Sequence, residues 1–307
     1  MMKIIGKSRL KINELSLMSV TAIHTLFIVT CVLCLVPFLF VVSASFSMEE
    51  DLIKYGFSLI PKNFTLEAYR ILIGSSGNEL IRAYLTTIFV TVTGTVMSLF
   101  ILSTAAYALS RDLKYKSQIS FFIYFAMRFS GGMVAWYLVC TQILHIQDTI
   151  WALIVPSLVS TWNIIILRTF IKLSVPMEII ESVKMDGGSE WIIYLKFILP
   201  LSKPGLATVA LFVSLRYWND WYLPMMLINR ADIINLQYYM QRIMASIQML
   251  VELSQREMAV SELANVKTPT ESVRMAICLA AMGPMLLAAP FFQKYFIKGI
   301  TVGSVKG

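Results

Sequence analysis

Six stretches of this chain are each long and apolar enough to cross a lipid bilayer, and that restricts it to one class of fold. They cover about residues 22–45, 83–109, 119–143, 150–170, 205–228 and 273–296. About 20 apolar residues, rising 1.5 Å each, traverse the hydrocarbon core. No water is present there to satisfy an open backbone, so each stretch is expected to be a helix. The chain is therefore read as an all-α, polytopic membrane protein with six transmembrane helices. Its 307 residues are 57% hydrophobic and only 14% charged, against about 25% charged in a soluble domain. Lys3, Lys7, Arg9 and Lys11 ahead of the first run imitate a signal peptide. That run is too long for a signal core and lacks a small-residue cleavage site, so it reads as a retained span.

The placement of charge orients the spans. One set of flanks holds fifteen basic residues: the N-terminal four, Arg111, Lys114, Lys116, Arg168, Lys172, Lys184, Lys196, Lys203, Lys294, Lys298 and Lys306. The two long segments on the opposite side, 46–82 and 229–272, carry ten acidic residues. The expected plan is a cytoplasmic N-terminus over 1–21, a first span over 22–45, and an external segment over 46–82. A five-helix core over 83–296 follows, with a cytoplasmic insert at 174–204, an external segment at 229–272, and a cytoplasmic tail at 297–307. Membrane topology thus explains the net charge of +8, and nucleic acid is not expected as a partner.

Within the external segments, Pro61 and Asn63 interrupt any helix, and Thr65 can cap a short one beginning near Leu66. Leu236–Leu253 reads as an amphipathic helix on the outer face, and Thr270 as the cap of the last span. Gly94 with Ser98, Ala105 with Ala106, and Gly131-Gly132 offer small surfaces for close helix contact. Little else suggests chemistry. Cys31-Val-Leu-Cys34 lies in a wholly apolar run without a flanking histidine, so no metal site is expected. Gly6-Lys7-Ser8 lacks the first glycine of a phosphate-binding loop, which would fall at Met1. No set of nucleophile, base and oxyanion donors is visible, and the chain reads as non-catalytic.

The insert is the exception to the apolar pattern. Ser174 is a fair cap, Pro176 suits a first turn, and Glu178 favours the positive end of a helix that runs to Gly187-Gly188. Ser189 caps a second helix reaching Leu199-Pro200. This segment resembles the signature loop of the membrane subunits of binding-protein-dependent ABC importers. That loop reads Glu-Ala-Ala, three residues, Gly, nine residues, Ile-x-Leu-Pro. Here Glu181 is followed by Ser182 and Val183 for the alanines, Gly187 at the right spacing, Phe197 for the isoleucine, and Leu199-Pro200. Asp186-Gly187 and Leu201-Ser202-Lys203-Pro204 are similar to the carbohydrate branch. So are Ala106-Tyr107-Ala108-Leu109-Ser110-Arg111, Trp218-Asn219, Gln293 to Gly299, and Val305-Lys306-Gly307. The likeness extends over nearly the whole chain and is greatest to maltose-type second permease subunits and those serving oligosaccharides of complex polysaccharides.

The resemblance implies a type I ABC importer permease in a bacterial cytoplasmic membrane, with both termini cytoplasmic. It implies four kinds of partner: a second homologous permease, two ATPase subunits, an external solute-binding protein, and an oligosaccharide substrate. ATP and magnesium would belong to the ATPase, and no cofactor to this chain. The insert would be the coupling helix, with Glu178, Glu181, Ser182, Val183, Asp186, Gly187, Leu199 and Pro200 at the ATPase contact. Glu181 would face a polar or basic group, and Gly187 would permit a sharp turn.

Charges inside the spans concern the cargo. Arg128 and Arg216 fall near mid-membrane, where a charge costs roughly 2.5–3.5 kcal/mol on insertion scales. Asp220 lies four residues beyond Arg216, a spacing suited to an ion pair on one helix face. One aspartate cannot neutralise two arginines, so Arg128 would pair with another subunit or line a pathway. Trp162, Asn163, Asn219 and Trp221, with Trp218 and Tyr222, offer stacking faces and amides suited to sugar rings, although tryptophan also favours lipid interfaces. The expected cargo is an oligosaccharide, with an acidic, uronate-containing one as the hypothesis the arginines carry. Two alternatives stand: the same architecture serving a polyol or phosphodiester, and a stand-alone secondary transporter or channel.

Overall fold

The computed structural model describes residues 17–74, 77–112, 114–129, 131–257 and 271–304. The described residues are helical throughout except for loops and one isolated bridge between Ser47 and Phe64. They belong to two compact units, Met1–Leu72 with Thr268–Leu279, and Ile73–Lys267 with Ala280–Gly307.

The first unit contains α1 (Leu17–Ser45), α2 (Glu49–Tyr55), α3 (Glu67–Gly74, through Leu72) and the first residues of α15 (Glu271–Ser304). α1 is apolar on every side, as a helix surrounded by lipid must be. α2 was not expected, yet its cause is local. Glu49, Glu50 and Asp51 fill its first turn, Lys54 its last, and Gly56 ends it at φ +75°. Thr65 caps α3 as expected, accepting the Glu67 N–H at 3.2 Å. Phe46 packs between Phe64 and Tyr69, with ring centroids 5.4 and 5.1 Å away. Thr270, the expected cap of the last span, lies outside the described residues. The first N–H groups of α15 are met by a distant carboxylate: Glu49 accepts from Glu271 and Ser272, each at 2.9 Å.

In the second unit α4 (Gly77–Ser110) packs against α8 (Thr161–Ser174) and α12 (Lys203–Trp218), burying Leu102, Leu167 and Val209 completely. Gly94 sets the α4–α12 distance. A Cβ there would lie 2.5–2.9 Å from three carbons of the Tyr217 ring, inside van der Waals contact. A Gly94→Ala protein should lose about 1–3 kcal/mol to overpacking. Thermal unfolding in detergent measures this, and an unchanged midpoint would show that the ring moves freely.

Two helix breaks are repaired by side chains from neighbouring helices. α7 (Trp151–Ile154) passes into a 3₁₀ turn at Val155–Ser157, and the Leu158 N–H turns to the Val155 carbonyl. The Ile154 carbonyl so released accepts from the Tyr217 hydroxyl at 2.9 Å. In α15, Pro284 has no N–H for the carbonyl four residues earlier. That carbonyl, of Ala280, accepts from the Tyr84 hydroxyl at 2.6 Å, and the adjacent Ala281 carbonyl from the Trp218 indole at 3.0 Å. In a bilayer such groups have no water to turn to.

The expected spans fall on helices, but not all are single rods. Among the described residues, Met18–Ser45 and Asn78–Ser110 are single helices of spanning length and composition. The expected span 119–143 is instead a broken pair, α5 (Lys116–Arg128) and α6 (Gly132–Leu138), the latter continuing as a π-helical turn to Ile143. The expected span 150–170 bends by 54° between Ser157 and Thr161. Within 205–228, α12 stops at Trp218 and α13 (Tyr222–Leu227) begins anew. Expected span 273–296 lies within α15. The amphipathic helix expected from Leu236 is α14 (Leu236–Glu257), whose first N–H groups go to Thr87 Oγ1 at 2.7 Å and Asn235 Oδ1 at 3.1 Å.

The turn before α7 is tied to the one after α13. Asp148, left-handed at φ +56°, accepts from the backbone N–H groups of Asn229 and Arg230. The Asn229 N–H, the largest influence, holds the Asp148 carboxyl below its usual range.

Candidate functional site

The breaks in α5–α6 and α12–α13 meet at a cavity of about 1000 Å³. Gly131 and Gly132 form one edge, and Gly132 sits at φ +83°, a backbone angle that side chains resist. A Cβ at Gly132 would meet nothing within 4 Å and one at Gly131 only the Ala135 Cβ at 3.6 Å. Their expected role as a close-packing surface is therefore corrected: these glycines open a span and border a cavity. Trp136 of α6 faces in, with its ring centroid 6.1 Å from that of Tyr222, and Trp221 meets Tyr222 edge-on at 6.2 Å.

Arg216, Asn219, Asp220 and Trp221, four of the residues expected along a substrate path, line this one cavity. The other three do not. Arg128 is exposed at the end of α5, Trp162 is exposed on α8, and Asn163 is buried in α8 at 6% exposure. Trp218 is corrected from a sugar-stacking candidate to a packing residue, 5% exposed with its indole N–H on Ala281.

The expected Arg216–Asp220 ion pair is also absent among the described residues. α12 ends at Trp218, so the helical spacing between the two does not persist to residue 220. Asp220 Oδ1 instead accepts the N–H groups of Tyr222 at 3.0 Å and Leu223 at 3.1 Å, capping α13. The Asp220 carbonyl accepts from the Asn235 amide. Asn219 is held likewise, donating to the Leu215 carbonyl at 2.9 Å and accepting from Gln237 at 3.4 Å. Arg216 is the exposed cation of the cavity and has no hydrogen-bond or ion-pair partner among the described residues. A guanidinium beside aromatic faces can bind a carboxylate while a sugar ring stacks alongside.

The insert forms a second candidate site. α9 (Met177–Met185) starts after Pro176, and Ser174 closes α8, which corrects the expected Ser174 cap. Glu178, Glu181, Ser182 and Met185 are exposed, and their spacing of three, four and seven places them on one face of α9. Met185 is 88% exposed, while Ile180 on the other side is 4% exposed. The helix ends with the Gly187 N–H on the Lys184 carbonyl at 3.0 Å and the Gly188 N–H on the Val183 carbonyl at 2.8 Å. This pair of bonds is a Schellman closure, and Gly187 supplies its left-handed residue at φ +75°. Val183, larger than the alanine of the resembled loop, fits because Gly188 has no side chain. A Cβ at 188 would lie 2.5 Å from Val183 Cγ1. Ser189 caps α10 (Glu190–Ile193) as expected, accepting from Ile192 at 3.4 Å. A π-helical turn and α11 (Leu199–Leu201) carry the chain through Leu199-Pro200, and an 80° bend leads into α12.

Sequence reasoning passed over several participants. Glu190 Oε1 lies 2.5 Å from Lys184 Nζ across the Gly187-Gly188 turn, and its other oxygen accepts from the Tyr107 hydroxyl. Hydrogen bonding to Lys184 first, then to Tyr107, holds the Glu190 carboxyl below its ordinary range. Because the value is depressed, the contribution is complete above the ordinary glutamate value and is lost as pH falls through the lowered one. Trp136 and Met185 were missed as well, since an aromatic or a methionine in an apolar chain has no distinguishing pattern.

No family model matches this chain. It is 36% identical over 287 residues to the polygalacturonan/rhamnogalacturonan transport system permease protein YtcP of Bacillus subtilis (strain 168), covering 93% of this chain and 97% of that protein. Protein LplC of the same organism is 36% identical over 274 residues, 89% of this chain and 90% of that one. Among solved structures, a bacterial ABC transporter involved in the import of the acidic polysaccharide alginate superposes with a TM-score of 0.76. It is 26% identical and covers 91% of this chain and 96% of that chain. With its helical fold and its relatives in agreement over nearly its full length, the chain belongs to the permease family of ABC transport systems, among relatives that include permeases named for polygalacturonan/rhamnogalacturonan and for arabinooligosaccharides.

Proposed function

We propose that this permease imports acidic oligosaccharides, uronate-containing ones above all, past Arg216 and the aromatic wall of the α6–α12–α13 cavity. The observation that carries this reading is the exposed Arg216 guanidinium, which has no hydrogen-bond or ion-pair partner among the described residues and shares one cavity with Trp136, Trp221 and Tyr222. A charge within a span is costly, Asp220 meets Arg216 only through space without an ion-pair contact, and a passing carboxylate would offset more of that cost. The names of relatives support the same class, since one serves polygalacturonan and rhamnogalacturonan and another imports alginate.

In this reading the chain supplies half of the pathway, and a second homologous permease supplies the rest. An external solute-binding protein delivers the cargo. Two ATPase subunits bind ATP and magnesium, and one docks on the exposed face of α9. Glu178, Glu181, Ser182 and Met185 would make the contact, with Gly187 shaping the turn behind them. Asp186, Val183, Leu199 and Pro200 would fix how the helix is presented. The lysine and arginine bias supports a cytoplasmic location for α9 and both termini.

Affinity purification from native membranes should recover a second permease and an ATPase with this chain. Proteoliposomes of that complex, given the binding protein and ATP, should accumulate an oligogalacturonide. Accumulation by this chain alone, driven by an ion gradient, would overturn the proposal. Uptake of a polyol or phosphodiester in place of the uronide would overturn the substrate class and leave the importer reading intact.

A further inference from the structure

The contacts of Glu190 reach beyond its own helix. It is the first residue of α10, yet its two carboxylate oxygens bind side chains from two other helices. One faces Lys184 of α9 at 2.5 Å, which bridges the turn at Asp186–Gly188. The other accepts from the hydroxyl of Tyr107, in the last turn of α4. Tyr107 is itself firmly seated: it is 8% exposed, and its ring centroid lies 5.9 Å from that of Tyr194. Tyr194 is 2% exposed, and its hydroxyl is 2.7 Å from Ser103 Oγ on α4. An unbroken series of contacts therefore runs from α9 through Lys184, Glu190 and Tyr107 into α4.

The Schellman closure fixes where α9 stops, but a turn of three residues with two glycines is a soft joint for transmitting displacement. Lys184 and Glu190 close that joint from the side, and Tyr107 anchors it to a helix of 34 residues. None of these three side chains belongs to the exposed stripe of Glu178, Glu181, Ser182 and Met185.

We infer that Glu190 is a positioning residue: its contacts to Lys184 and Tyr107 lock α9 to α4, so that displacement of α9 moves the membrane helices instead of flexing the turn. This rests on the proposed docking of an ATPase on α9. It separates two properties of the insert, binding the motor and conveying its motion, and assigns the second to residues outside the contact face. The low carboxyl range of Glu190 keeps the lock charged at neutral pH.

The test uses the complete complex, reconstituted with its binding protein, and reads the substrate moved per ATP hydrolysed. Tyr107→Phe removes one hydroxyl, and Glu190→Gln removes the charge while keeping a similar shape. Both should retain the ATPase in the complex, while transport per ATP falls roughly threefold to tenfold, the size of a typical coupling defect. Pairing Lys184→Glu with Glu190→Lys should recover much of the ratio that Glu190→Lys alone loses. A variant that merely folds less well lowers transport and hydrolysis together, leaving the ratio unchanged. An unchanged ratio in both single variants would overturn the inference, as would an exchanged pair no better than the single reversal. A wild-type complex lacking any ATPase would instead overturn the docking reading, and this inference with it.

Discussion

Uptake of an oligogalacturonide by an Arg216→Gln complex should fall by roughly tenfold to hundredfold, the scale of losing one charge-assisted hydrogen bond in a partly desolvated site. Uptake of a neutral oligosaccharide of equal length should change little. The contrast matters more than either value. Glutamine keeps a polar tip and most of the volume, so a general disturbance of the cavity would lower both substrates alike. Arg128→Gln is the control within the same chain. Both arginines lie inside expected spans, but only Arg216 lines the cavity, and Arg128 should discriminate weakly between the two cargoes. Equal losses on acidic and neutral sugars at Arg216 would end the acidic-substrate reading.

The second large effect is expected at the insert, on the exposed face of α9. Glu181→Lys combined with Met185→Asp should strip the ATPase from the purified complex and abolish ATP-driven uptake. Met185 is the most exposed large apolar residue of the insert, at 88%, and lies one helical turn beyond Glu181 on the same face. An exposed apolar side chain beside a carboxylate, displayed on a short rigid helix, suits a contact centre with a charged rim. Each such residue is worth about 2 kcal/mol or more, and a reversed charge adds repulsion. Because both side chains point away from the fold, the altered permease should still assemble with its partner permease and unfold at the wild-type temperature. Retention of the ATPase at wild-type stoichiometry would place the docking surface elsewhere.

The membrane class and the insert were legible because each rests on a strong local rule. Twenty apolar residues have one solution in lipid. Gly187, six residues after Glu181, ends a helix by taking the left-handed conformation that a side chain resists. The breaks were harder to read, since averaged hydrophobicity does not register Gly131-Gly132 or Pro156, which alter backbone geometry without reducing apolarity. The Arg216–Asp220 expectation failed for a definite reason. A spacing of four residues brings side chains together only while the helix continues, and α12 ends two residues before the aspartate. Once the chain leaves the helix, Asp220 is better placed to cap α13 than to pair backwards. Ser189 was legible as a cap, but the role of the adjacent Glu190 was not, because both of its partners are invisible from local pattern. Tyr107 lies 83 residues away, and the Lys184 contact needs the turn to fold first.

The hydrogen bond from Tyr84 to the Ala280 carbonyl joins residues 196 positions apart. During synthesis the tyrosine reaches the membrane long before the proline-interrupted helix exists. That later helix enters lipid with a carbonyl its own backbone cannot satisfy, and the remedy is already waiting on α4. Assembly of the bundle therefore has an order: the donor on α4 is made first, and both it and the late carbonyl reach their lowest energy only when the two helices meet.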